Sequence, residues 1–226
     1  MANHYMTGMF PYFEAKLPAF YALETRDWNA AAALEPVKGA APETQTQVYW
    51  ARAIAAGHLH RSQQAERDLQ GFDDLIAEVK QGRHAYTADS TGVRIERGEM
   101  LAWAAFATGH AEAALQHMRA SADLQDTVGQ GEVDIPAREM LADMLLELGR
   151  PGEALAEYRR SLQLSPNRFN GLFNAGTAAE AAGERTQAMA YYTALLQSTN
   201  GGADTGRPEI AHAKDVVASG MSAAAN

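Results

Sequence analysis

The chain has 226 residues, 46% of them hydrophobic, with no cysteine and a formal charge of −9, which sets the isoelectric point near 5.2. Such a length holds one or two globular domains, or one solenoid of several hairpins, and the lack of cysteine removes disulfide scaffolds, thiolate metal sites and cysteine nucleophiles together. The acidic balance argues against nucleic acid as a partner, because its binders gather Lys and Arg on one face and gain affinity by releasing counterions.

The opening residues, MANHYMTGMFPYFEAKLP, lack a basic start, a long apolar core and a small-residue cleavage site. The expected compartment is therefore the cytoplasm, or the periplasm if the chain is a mature form or a fragment. No apolar run approaches the roughly 18 residues of a membrane span, so no membrane partner is expected. The stretch YFEAKLPAFYALETRDWNAAAALEP reads as a degenerate helical pair over about 11–40, with Asp27 and Trp28 in its turn. Proline costs about 3 kcal/mol in a helix interior, so the first helix is expected to begin near Pro18 or to kink there. A second pair spans about 43–82; Gly57 lies eight residues before Ala65, which reads as a hairpin with a longer turn. The segment from Gly82 to Gly92 is a loop by composition.

A phrase then recurs: GHAEAALQHM at Gly109, GRPGEALAEY at Gly149 and GERTQAMAYY at Gly183. Each glycine is followed five residues on by alanine (Ala114, Ala154, Ala188) and four further on by a bulky residue (Met118, Tyr158, Tyr192). A turn, a small contact residue and a large filler at fixed spacing predict stacked hairpins over about 95–128, 135–168 and 169–202. In the middle unit, Leu141, Leu145 and Leu148 on one helix and Leu155, Tyr158 and Leu162 on the next fall at helical spacing. Gly149 suits the left-handed position beyond a helix end, Pro151 suits a first helical turn, and Pro166 ends the second helix. The 40-residue interval from Gly109 to Gly149 places a loop at DTVGQGEVD, whereas Gly149 and Gly183 are 34 apart. A capping helix is expected over about 207–219, with SGMSAAAN frayed beyond it.

On these residues the chain resembles the tetratricopeptide-repeat family, whose signature is W-x-x-L-G-x-x-Y followed by A, F and P. Leu141, Ala154, Tyr158 and Pro166 match in one repeat, where Ala142 replaces the glycine, Leu145 the tyrosine and Arg138 the tryptophan. In the next, Leu172, Gly176, Ala188 and Tyr192 match, while Leu195 holds a position usually given to a small residue. The run from LELGRPGEALAEY onward is also similar to the C-terminal repeats of longer bacterial members, so the chain is either a natural short form or a C-terminal piece. The resemblance implies one all-α solenoid over 1–226, a right-handed superhelix of antiparallel hairpins that recognises proteins without catalysis.

Family members bind peptides or helices on the concave face, lined by the first helix of each hairpin. Carried over, this gives Glu96, Glu99, Trp103 and Phe106; then Glu139, Asp143, Leu146 and Glu147; then Asn170, Phe173, Asn174, Thr177 and Glu180. Independently of the family, the spacings 96–99–103–106 and 173–177–180 put each set on one helical face. Asn174 matches the family's backbone-binding asparagine, whereas Met100 and Met140 interrupt that ladder upstream. The family's Lys and Arg clamp for a C-terminal carboxylate is absent. The stripe is acidic with aromatic insertions, which predicts a basic or amphipathic segment of another protein as partner. Bulky residues on an amphipathic helix equally suit a core, and glutamates a solvated face.

No cofactor, metal or catalytic residue is assigned. The competing enzyme reading is metal-assisted hydrolysis at His58, His60 and His84, for which no HEXXH or CXXC pattern is present. A structural reading has the chain packing onto other repeats or forming a homodimer, favoured by an exposed apolar face around Phe10, Tyr12 and Phe13.

Overall fold

The computed structural model describes residues 6–129, 135–200 and 206–224, and their side chains over 12–129, 135–200 and 206–220. Among the described residues the protein is all helical: α1 (Met6–Glu24), α2 (Trp28–Ala32), α3 (Pro42–His58), α4 (Ser62–Gln81), a 3-10 turn (Ala85–Thr87), α5 (Thr91–Ala107), α6 (Ala111–Val128), α7 (Ala137–Glu147), α8 (Pro151–Leu164), α9 (Phe169–Ala181), α10 (Arg185–Ser198) and α11 (Pro208–Ala224). Two compact units divide the chain, residues 1–133 and 134–226. In the first, α1 packs on α2 and α3, α3 on α4 and α5, and α5 on α6. In the second, α7 packs on α8, α8 on α9, α9 on α10, and α10 on α11.

One turn closes all five hairpins. In the middle unit the Gly149 N–H donates to the Leu146 carbonyl at 3.0 Å and the Arg150 N–H to that of Leu145 at 2.9 Å. This crossed pair satisfies carbonyls the helix end would leave orphaned, and it requires a left-handed residue between them. Gly149 supplies it at φ 70°, as do Gly109 at 80° and Gly183 at 77°. The same bonds recur at His60 and Arg61, and at Arg26 and Asp27, where non-glycine residues adopt φ 52° at His60 and 57° at Arg26. The second hairpin thus has no longer turn: His60, five residues before Ala65, takes the glycine position. In the first, Thr25 to Asp27 form the turn and Trp28 already opens α2. Gly149→Ala should cost about 1 kcal/mol in urea unfolding, since a Cβ strains the left-handed conformation.

Other expectations shift at the chain ends. The helix α1 does not start near Pro18; it runs through Pro11 and Pro18, because proline forfeits one backbone bond while buried Ala15, Ala19, Ala22 and Leu23 hold the packed face. The segment expected to fray continues α11 through Ala224. The loop residues 130–134 lie outside the described residues. Pro151 opens α8, and buried Ala154, Ala188, Tyr158 and Tyr192 form the small-and-large contacts of their hairpins. A Cβ on Gly176 would meet the Tyr192 ring at 2.5 Å, which shows how closely α9 and α10 approach.

Candidate functional site

In the first unit, two polar side chains of α3 reach two carboxyls of α5, one helical turn apart. The Gln47 amide donates to Glu96 Oε1 at 2.9 Å, and Trp50 Nε1 donates to Glu99 Oε2 at 2.7 Å. Glu96 is half-buried, but Glu99 is fully enclosed and its Oε1 has no partner. Burial pushes the Glu99 pKa up to about 8; the Trp50 bond opposes this and the nearby Glu96 charge adds to it. Trp103 and Phe106 are buried as well. Trp103 belongs to a stack in which His58 lies 3.8 Å from the Trp28 ring and 3.9 Å from Trp103 by centroids. Its packing takes the ring out of reach of a ligand. Of the four α5 residues, Glu96 alone reaches the surface appreciably.

In the second unit, Asp143 Oδ1 accepts from both the Tyr158 hydroxyl and the Asn174 amide, the latter at 3.1 Å. Glu139 holds Arg168 through two bonds of 2.8 and 2.9 Å, the forked geometry of a guanidinium on a carboxyl. Glu139, Asp143, Asn170 and Asn174 are all buried. These polar residues tie α7, α8 and α9 together, and Asn174 spends its amide inside the unit. Leu146, Phe173 and Thr177 are half-buried, and Glu180 is exposed. Glu180 accepts from the Tyr192 hydroxyl at 2.6 Å and pairs with His212 of α11 at 2.8 Å. Burial raises the Glu180 pKa, yet these two bonds hold it below the usual carboxylate value.

Sequence reasoning missed the contribution of α11. Arg207, just before it, stacks its guanidinium 3.7 Å from the Phe169 centroid and donates to Asn170 Oδ1 at 3.5 Å. His212 meets Phe173 edge-on at 5.9 Å. The cation and imidazole of α11 therefore occupy part of the α9 face. The signal was present at Arg168 and Arg207, each set just before a helix.

The histidines of the metal reading are separated in role. His58 stacks between two indoles, His60 lies 5.5 Å over Phe106, and His84 Nδ1 sits 2.5 Å from Glu43 Oε1. Among the described residues, no three His, Cys, Asp or Glu side chains gather with metal-binding geometry.

The hairpin α7–α8 has now shown its turn, its small residue and its filler in register, and residues 135–168 match the tetratricopeptide repeat family. The chain contains a tetratricopeptide repeat. Within this repeat frame Leu172 lies 34 residues after Arg138, at the tryptophan position, and Ala175 follows Leu141. Among solved structures, the chain is similar to one described as the crystal structure of MamA protein, with 15% identity, a TM-score of 0.44, and coverage of 87% of this chain and 94% of that one. No curated protein matches. Tetratricopeptide repeats stack into solenoids whose extended surfaces bind other proteins, and the repeat supports a general scaffold role. No helix among the described residues is long and apolar enough to cross a membrane.

Proposed function

We propose that the protein is a noncatalytic scaffold that holds a basic or amphipathic segment of another protein against the first helices of the hairpins within a unit. The observation that carries this reading is the docking of α11. The α9 face takes a guanidinium onto Phe169 and an imidazole onto Glu180, a cation-on-ring contact and a nitrogen-on-carboxylate contact of the kind a basic segment would make. Within each unit by itself the accessible members of the predicted stripe are the proposed contacts: Glu96 in the first, and Leu146, Glu147, Phe173, Thr177 and Glu180 in the second. Glu99, Trp103 and Phe106 are buried in the first unit, and Glu139, Asp143, Asn170 and Asn174 in the second.

Fluorescence anisotropy of a labelled Lys/Leu amphipathic helix tests the reading. Affinity should fall as salt rises, and Glu180→Gln combined with Glu147→Gln should weaken binding at low salt. Equal binding of a Glu/Leu helix, or binding indifferent to salt, would remove the proposal.

A second reading, self-association through the N-terminal helix, is favoured by an exposed stripe on α1: Phe13 at 43%, Leu17 at 61% and Tyr21 at 73%. These are spaced by four, on one helical face; the Phe10 side chain lies outside the described residues. Sedimentation of the protein and of Leu17→Asp separates monomer from dimer.

A further inference from the structure

The first unit holds a cavity of about 450 Å³ between α3, α4, the 3-10 turn and α5. Its lining contains two carboxyls, Glu43 and Glu96, and among the described residues no Lys or Arg. One wall is apolar, formed by Ile76, Val79 and Val93, and two tyrosines complete it, Tyr12 and Tyr86. Tyr86 is 80% exposed, a large aromatic at the rim. The nearby Lys80 is engaged elsewhere, 2.9 Å from Asp89. Within the cavity His84 bonds Glu43. Burial raises the Glu43 pKa, but this hydrogen bond and a backbone bond outweigh it and hold the carboxyl below its usual value.

We infer that this cavity receives one alkyl cation, a guanidinium or ammonium on a flexible aliphatic stem. Each part of the lining matches a part of that ligand. Val79 and Val93 pack the methylenes, as apolar surfaces commonly do with Lys and Arg stems; exposed Tyr86 offers its ring to the charge, while Tyr12 already has the Lys16 ammonium 5.5 Å from its centroid; and Glu96 and Glu43 supply the acceptors. A volume of this size lies within the range of small-ligand pockets, roughly 300–1,000 Å³, and exceeds what one side chain fills, leaving room for its backbone. The inference deepens the scaffold reading and rests on it for the source of the cation, a partner segment; a free polyamine presents the same chemistry. The sequence singled out Glu96, Tyr12 and His84 for three different readings and did not bring them together, because the lining comes from separate elements.

The test is a nitrogen-15 NMR titration of the full chain with three probes: N-acetyl-arginine methylamide, its neutral isostere N-acetyl-citrulline methylamide, and spermidine. Capped arginine should shift the amides of Gln47, Tyr86 and Val93 saturably, and capped citrulline should not. Tyr86→Ala, which removes an exposed side chain and so spares the fold, and Glu96→Gln should each weaken binding roughly fivefold. Tighter response to capped arginine identifies a peptide source, and tighter response to spermidine a free amine; both support the cavity. Equal shifts with citrulline, or shifts mapping away from these residues, overturn it. If the Lys/Leu helix still binds in a salt-dependent manner while capped arginine leaves the cavity silent, this inference falls and the scaffold reading stands.

Discussion

Glu99→Gln should stabilise the protein increasingly as pH rises from about 5 to 8, until the variant exceeds the native chain by roughly 3 to 5 kcal/mol. The native carboxyl has its pKa raised from 4.5 to about 8 by burial. Between those values the folded state keeps a proton that the unfolded state has released. The contribution of Glu99 is thus fully present below 4.5 and is lost as pH rises through 8. Glutamine keeps an acceptor for Trp50 and never ionises. Asp68 adds in the same direction, because its burial outweighs the opposing Arg52. Glu43 and Glu180 oppose it, since their lowered values give stability that is lost as pH falls. The difference between native and variant melting curves cancels these shared terms. Parallel curves across the pH range would mean that Glu99 does not hold its proton on folding.

Asp143→Ala should cost about 3 to 5 kcal/mol, the largest loss expected from a single truncation in the second unit. One carboxyl oxygen accepts from both Tyr158 and Asn174. Its removal takes a shared acceptor from two buried donors on two different helices. Tyr158→Phe should cost only about 1 to 2 kcal/mol, since Asn174 remains as a donor to Asp143. Urea midpoints at constant slope would measure both, and a loss for Asp143→Ala no greater than that for Tyr158→Phe would contradict the shared-acceptor arrangement.

The architecture is legible wherever a residue type is forced by geometry. Gly109, Gly149 and Gly183 announce their turns because glycine enters the left-handed region without strain. His60 and Arg26 adopt the same conformation but carry no such sign, so the first two hairpins read as irregular although their hydrogen bonds repeat those of the others. The backbone pattern chose the conformation, and packing nearby tolerates its cost. The helix start expected near Pro18 fails for a related reason, as local propensity yields to a buried alanine face.

The candidate site is less legible, because helical spacing identifies a shared face and says nothing of what covers it. Glu96 and Glu99 lie three residues apart on α5, yet one reaches a cavity and the other is enclosed with Trp50. Glu139, Asp143 and Asn174 have the composition of a polar binding stripe, but Arg168, just before α9, and Tyr158 of α8 complete their hydrogen bonds. Those partners are distant enough in the chain that no short motif links them. The α11 contacts with Phe169 and Glu180 are hidden in the same way.

All three tryptophans, Trp28, Trp50 and Trp103, fall in residues 1–133, two of them flanking His58. Indole emission therefore watches one unit, while helical ellipticity sums over both. Recording the two signals in a single urea titration separates the units without a label. Superimposed transitions would mark one cooperative block, and an ellipticity change lacking an emission change would isolate the melting of the tryptophan-free unit.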